Sequence, residues 1–347
     1  MKLTCHNKEC KTDLNTEFTF DYDGDESTVD CPKCTSKILI EINQNNIKNK
    51  SKFRNNLRNW LIKHPSMNPY NFSKNNTLKK INANDRLLPN FLIFGGTRSG
   101  GTTLQRYIVK HPLVICERNI HFFENTFTND LDWYKSHFPT KKYKKRVEQK
   151  NNQRLQIGEQ TGTYMYYPGV PKRVREIIPD VKLIAVLRNP IDMIFSRYVH
   201  MKNQGLEVSL NFDEVIQTEL RRIELIENNP EIKMSNPFFD NSMIFNYIKH
   251  GNYFERFQEW FKYFPREQFL IFTNTELTEN PAGFTKKTFE FLGLESGNIP
   301  ENIDYKKHNV SDYKEKMSSY ARKILEEHFK ISNDKMSKLL NKNLEWN

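Results

Sequence analysis

The apolar positions of the chain change their rhythm twice. Up to residue 42 they alternate with polar ones. Residues 17–22 (Glu-Phe-Thr-Phe-Asp-Tyr) and 37–42 (Lys-Ile-Leu-Ile-Glu-Ile) read as β-strands, with Asp23-Gly24-Asp25 as a hairpin turn between them. Residues 43–88 are rich in Asn, Lys and Ser. They show a helical period only at Phe53, Leu57, Trp60 and Leu61, the i, i+4, i+7 and i+8 positions of one face. From residue 89 the apolar runs become short, continuous and separated by helical stretches. The runs at 91–94, 113–116, 181–187 and 269–272 have the composition of strands buried on both faces, as in parallel sheets. Residues 102–110 read as a helix stopped by His111-Pro112, and Pro190 opens another. Strands alternating with helices predict an α/β fold, a parallel sheet flanked by helices, preceded by a small β unit. The expected organisation is a domain over 1–42, a linker with a short helix over 43–88, and an α/β domain over 89–347.

Composition narrows the class. The 347 residues hold 53 Lys and Arg against 42 Asp and Glu, a net charge of +11, which favours anionic partners without choosing among them. A hydrophobic content of 37% with 13% aromatics is too rich for a disordered chain. No stretch is apolar for the 18 residues that a membrane span requires, and no apolar run follows Met1-Lys2-Leu3 as in a secretory leader. The expectation is a cytoplasmic protein.

Four of the five cysteines fall in the first 34 residues, as Cys5-x4-Cys10 and, twenty residues later, Cys31-x2-Cys34. In a reducing compartment such spacing points to metal rather than disulfides. Two pairs separated by a hairpin bring four thiolates to one tetrahedral zinc, and a site closed by four sulfurs is structural. The segment resembles a zinc ribbon, in which the metal supplies much of the folding energy. Its acidic residues outnumber its basic ones, so it offers no basic stripe and no nucleic-acid partner is expected. Cys116 lies inside an apolar run and reads as a core thiol.

The first strand of the α/β region leads into Gly95-Gly96-Thr97-Arg98-Ser99-Gly100-Gly101-Thr102-Thr103 and then a helix. Strand, glycine-rich turn and helix N-terminus make an anion cradle of converging N–H groups, the P-loop type of architecture. Gly95, Gly100 and Thr102 fit the spacing G-x4-G-K-[ST], but Gly101 stands where a nucleoside triphosphatase needs its lysine, and the strand ending at Leu187 offers no carboxylate for magnesium. The loop is therefore expected to bind phosphate but not a magnesium–triphosphate complex. Arg188 leaves the end of the third strand, where α/β folds place ligands. With Ser196 one to two helical turns on, it can hold a second phosphate.

With these motifs the sequence resembles the P-loop sulfotransferases that use 3′-phosphoadenosine 5′-phosphosulfate (PAPS), and more closely their carbohydrate branch, typified by heparan-sulfate sulfotransferases. The likeness covers residues 89–347. It includes Ile120-His121-Phe122-Phe123, the stretch Ile157 through Tyr164, the whole of 182–198, Gly251-Asn252-Tyr253, Phe291-Leu292-Gly293-Leu294 and Lys307-His308-Asn309-Val310-Ser311. The resemblance implies that Arg98, Ser99, Gly100, Gly101, Thr102 and Thr103 bind the 5′-phosphosulfate. It implies that Arg188 and Ser196 bind the 3′-phosphate and that Lys307 closes over the donor. The sulfuryl group would pass to a hydroxylated acceptor, a carbohydrate in the branch it resembles.

Two positions depart from that branch. Its catalytic Glu, two residues before His-Phe-Phe, is Asn119 here, and a lysine of the Gly-Glu-x-Thr motif is Gln160. Arg98 and the loop amides can stabilise the leaving phosphate, but an acceptor hydroxyl also needs a base. If residues 117–121 are extended, Glu117, Asn119 and His121 share one face. His121 is then the first candidate base, Glu117 the second and Glu159 the third. A chain that lost its base at Asn119 would instead bind PAPS or its product 3′,5′-ADP with weakened catalysis.

Overall fold

The computed structural model describes residues 82–124, 130–204, 207, 211–228, 246–295, 300, 303–306 and 316–346, together with the backbone of four strands among the first 41 residues. It divides into two compact units, Met1–Asn75 and Asn76–Asn347. The stretch holding Phe53, Leu57, Trp60 and Leu61, as well as Cys10, Cys31, Cys34 and Lys307, lies outside the described residues.

In the first unit β1 (Lys2–Cys5), β2 (Thr19–Phe20), β3 (Thr28–Asp30) and β4 (Lys37–Glu41) form an antiparallel sheet in the order β1-β4-β3-β2. The expected hairpin closes differently from the sequence reading. Phe20 pairs with Val29, and β4 pairs with β3 and β1. The turn residues Asp23-Gly24-Asp25 sit between Phe20 and Thr28 in the chain. Closing on the nearer Thr-Val-Asp segment costs less loop entropy than reaching Lys37.

The second unit carries an all-parallel sheet of β5 (Phe91–Gly95), β6 (Val114–Arg118), β7 (Gln156–Gln160), β8 (Lys182–Leu187) and β9 (Phe269–Thr273), in the order β6-β7-β5-β8-β9. Four of these are the apolar runs of the sequence. The exception is β7, whose Gln-Ile-Gly-Glu-Gln gives no strand signal, yet all five of its residues are buried. It joins the sheet because its neighbours are built for it. A Cβ on Gly158 would lie 2.1 Å from the Phe91 ring, so only glycine lets that ring cross the strand.

Side chains alternate across the sheet into two cores. Leu92, Phe94, Leu183, Ala185 and Leu187 face one; Phe91, Ile93, Ile184 and Val186 face the other. Phe94 is fully buried among Phe257, Trp260 and Phe269, with ring centroids 6.1, 4.3 and 6.0 Å away. Truncating such a residue to alanine costs about 3–5 kcal/mol.

Local chemistry sets the helix ends near the sheet's carboxyl edge. Helix Gly101–Ile108 begins behind Gly100, whose φ of 109° suits glycine alone. Helix Pro190–Asn203 starts with proline at its first turn, and Asn189 Oδ1 accepts from Ile191 N at 2.9 Å. Thr273 and Glu276 form a reciprocal capping box after β9.

Candidate active site

The loop between β5 and helix Gly101–Ile108 is fixed from three sides. Asn274 Nδ2 donates to Ser99 O at 2.8 Å, Gly96 N to Val186 O at 3.1 Å, and Thr97 N to the Tyr166 hydroxyl at 3.2 Å. Arg98 adopts the left-handed conformation (φ 55°), a strain of the kind that clusters at ligand sites. Its side chain leaves the loop towards the next strand tip, where Nε donates to Ser196 Oγ at 3.3 Å. The loop and helix Pro190–Asn203 thus meet through side chains 98 residues apart in the chain. Arg188 lies half-buried at the end of β8. Ser99 departs from its expected role: it is fully buried and its hydroxyl donates inward to Thr97 O at 3.1 Å, so its side chain offers nothing to a ligand.

Positive charge is concentrated here. His200, on the same helix as Ser196, is pushed down to about 4 by burial and by the Arg98 and Arg197 guanidinium groups. Burial, together with Arg197, also holds His250 well below the ordinary histidine range. Several polar atoms around the loop are buried without a hydrogen-bond partner: Thr97 Oγ1, Gln160 Oε1, His250 Nε2 and the Tyr253 hydroxyl. A buried polar atom left so costs about 1–3 kcal/mol, and binding sites are where such costs recur. Gln160 stands where the related branch has lysine. Its Nε2 lies 3.7 Å from where a Gly101 Cβ would be and 3.8 Å from a Gly162 Cβ, so its amide sits between the loop and the turn that follows β7. Glycine cradle, cations and unsatisfied polar atoms together fit a ligand carrying more than one phosphate.

The residues expected to supply a base are arranged differently from the extended face inferred from sequence. Strand β6 stops at Arg118, and both Asn119 (φ 55°) and His121 (φ 58°) are left-handed, so Glu117, Asn119 and His121 do not line one face. Glu117 is exposed on the edge strand in register with Glu159. Glu159 is fully buried and cannot stand open to an acceptor. Its two oxygens accept from Tyr134 (2.6 Å), Tyr164 (2.6 Å) and Thr161 (2.5 Å). Burial raises its pKa above the ordinary carboxylate value against the pull of those three hydroxyls.

Glu159 nevertheless shapes the site. The Phe122 ring stacks on Tyr134 at 4.2 Å and 6°, and Phe123 meets Tyr164 edge-on at 5.5 Å. The two tyrosines bound to Glu159 are thus the seat on which the His-Phe-Phe segment rests. Arg173 Nε holds that segment from outside, donating to Phe123 O at 2.8 Å. His121 projects from it, partly exposed, with Nδ1 3.3 Å from Glu124 Oε1 and 3.4 Å from Thr163 Oγ1. Thr163 Oγ1 also donates to Glu124. The sequence reading missed Glu124. Its only signal was an acid three residues after the histidine.

An all-parallel five-stranded sheet flanked by helices, with a glycine-rich loop at the end of β5 and an arginine at the end of β8, defines an α/β fold of the kind found in nucleotide-using enzymes. The chain belongs to the sulfotransferase domain family, which it matches over residues 88–344. It is 26% identical over 328 residues to the membrane-associated sulfotransferase kil1 of Dictyostelium discoideum, covering 75% of this chain and 66% of that protein. It is 29% identical over 217 residues to the human bifunctional heparan sulfate N-deacetylase/N-sulfotransferase 2, covering 60% of this chain but only 22% of that enzyme. The chain therefore corresponds to part of each relative. Its fold is that of a sulfotransferase from Alicyclobacillus acidocaldarius, with a TM-score of 0.55, 23% identity, and coverage of 75% of this chain and 99% of that one. Among the described residues no helix is long and apolar enough to cross a membrane.

Proposed function

We propose that the protein transfers a sulfuryl group from PAPS to a hydroxyl of a carbohydrate or other hydroxylated acceptor in the cytoplasm. The observation that carries this reading is the meeting of Arg98 with Ser196, which joins the glycine loop to the Arg188 tip. The loop amides from Gly100 to Thr103 cradle the 5′-phosphosulfate, and Arg188 and Ser196 hold the 3′-phosphate that ATP lacks. Lys307 closes over the donor. In the transfer the S–O bond to the donor phosphate breaks as the acceptor oxygen bonds to sulfur. Loop amides, Arg98 and the helix dipole stabilise the departing phosphate.

His121 takes the acceptor proton on Nε2. Its Nδ1 faces Glu124 and Thr163, which fixes the ring's orientation. Glu117 remains the second candidate, and Glu159 acts through the tyrosine seat. The test is thermal: 3′,5′-ADP without magnesium raises the melting temperature more than 5′-AMP or ATP does, because only the state that binds is stabilised. Equal shifts from ATP with magnesium overturn the donor assignment. Binding of 3′,5′-ADP without turnover of labelled PAPS on any hydroxylated acceptor favours instead a catalytically weakened PAPS-binding protein.

The N-terminal unit is proposed to hold one structural zinc on Cys5, Cys10, Cys31 and Cys34. The strand register supports this. Cys5 pairs with Ile38, next to Lys37, whose partner on β3 is Asp30, the residue before Cys31. One end of the sheet therefore gathers Cys5 and the chain entering the second cysteine pair. Cys31→Ser is expected to release about one zinc per chain, read by metal analysis, while 3′,5′-ADP binding persists. Metal-free protein with an intact N-terminal unit refutes the zinc.

A further inference from the structure

The tip that carries Arg188 is braced by a residue far away in sequence. Helix Ser319–Leu340 ends at Asn341, and the chain then turns back with Glu345 in the left-handed region (φ 51°). A non-glycine residue there costs about 1–2 kcal/mol, and such strain persists only where surrounding contacts impose it. The contacts in question bury Trp346, which is 6% exposed, and Leu344. The carbonyl oxygen of Trp346 accepts from Asn189 Nδ2 at 3.4 Å and from Asn333 Nδ2 at 3.3 Å. Its indole lies 5.8 Å from the Tyr253 ring.

Two of these partners, Asn189 and Tyr253, support the site. Asn189 is the residue after Arg188, and its Oδ1 caps the helix that carries Ser196. The buried Tyr253 hydroxyl lies beside Ser99 of the glycine loop and the backbone of Arg188, in good hydrogen-bond geometry with neither. Trp346 thus leans on the cap behind the arginine and on the ring wedged between the arginine and the loop.

We infer that Trp346 is a positioning residue for the donor site, holding the Arg188-Asn189 tip where the guanidinium meets the 3′-phosphate. The inference rests on the reading of Arg188 as the ligand of that phosphate. A guanidinium fork aimed in advance binds without the entropy loss of being ordered by its ligand. The tail therefore sets selectivity for the 3′-phosphate rather than general nucleotide affinity.

Calorimetric titration of the full chain with 3′,5′-ADP and with 5′-AMP tests this. Trp346→Ala is expected to weaken 3′,5′-ADP about tenfold or more while 5′-AMP changes by less than about twofold, because only the former uses the tip. The main-chain carbonyl remains in every variant; Trp346→Phe also keeps a ring against Tyr253, and should restore most of the affinity. Asn333→Ala removes the hydrogen bond to the same carbonyl from the other side and truncates a smaller buried side chain than Trp346→Ala does. It should weaken 3′,5′-ADP about two- to fivefold with the same selectivity, and this decides the matter if Trp346→Ala fails to fold. Equal loss of both ligands in these variants, or unchanged affinity for both, overturns the positioning role. Arg188→Ala separates the two layers of argument: if it leaves 3′,5′-ADP affinity unchanged, the assignment of Arg188 has failed. If it weakens binding and the Trp346 and Asn333 variants do not, only the brace has failed.

Discussion

Glu159 and Glu124 are both buried carboxylates within reach of the turn Thr161–Tyr164, and the protein surrounds them in opposite ways. Glu159 is enclosed by three hydroxyl donors, with aromatic rings packed beyond them. Glu124 shares one threonine with a partly exposed histidine. The first arrangement resists change, because every oxygen is committed and any acceptor would have to displace a tyrosine. In the second, Nδ1 of a partly exposed His121 faces the carboxylate at 3.3 Å. Two buried carboxylates beside the same turn thus differ in what covers them.

The contrast makes unequal demands on substitution. The largest effect is expected at His121. His121→Ala should lower the rate of sulfuryl transfer about 10²–10⁴-fold while the affinity for 3′,5′-ADP, measured by calorimetry, stays within error. A small change in rate would move the base to Glu117. Glu159→Gln should do the reverse. Replacing an acceptor-only carboxylate by an amide beneath three hydroxyls should cost about 1–3 kcal/mol of stability in a denaturant titration, with the rate reduced only as far as the His-Phe-Phe seat loosens. If its rate falls as far as that of His121→Ala at unchanged stability, the distinction between the two carboxylates collapses.

The smallest effect concerns His200. Its folded pKa of about 4 lies below the ordinary histidine value, so between pH 6.5 and 4 the unfolded chain takes up a proton that the folded chain refuses. Stability should therefore fall as pH is lowered through that window, with the penalty complete below 4. His200→Gln should flatten this part of the curve. A variant with the same slope as the parent would mean that other groups set the acid response.

Much of the frame was legible in sequence because it depends on local pattern. Apolar runs marked β5, β6, β8 and β9, glycines marked the loop, and Asn189-Pro190 marked the start of a helix. Strand β7 was hidden because its burial is polar: Gln156, Glu159 and Gln160 are accepted inside the sheet through partners such as Asn90 and Tyr134, which no periodicity reveals. The shared face of Glu117, Asn119 and His121 failed for a different reason. Strand alternation was carried past Arg118, where two left-handed residues turn the chain. Glu124 escaped notice because its role arises only once that turn brings it beneath His121.

Three side-chain contacts at the carboxyl edge of the sheet join residues distant in the chain. Arg98 meets Ser196, Ser99 is tied to Asn274, and Asn189 is tied to Trp346, across 98, 175 and 157 residues. Contacts of such separation form late, because the intervening chain must be closed before they are rewarded. During synthesis the glycine loop leaves the ribosome long before its braces, and a larger protein at that stage exposes surface to misassembly. The nascent chain would gain its full grip on the 3′-phosphate only when the segment around Trp346 is free to fold, so chains held on the ribosome with and without that segment outside it should differ in their retention on immobilised 3′,5′-ADP but not on immobilised 5′-AMP.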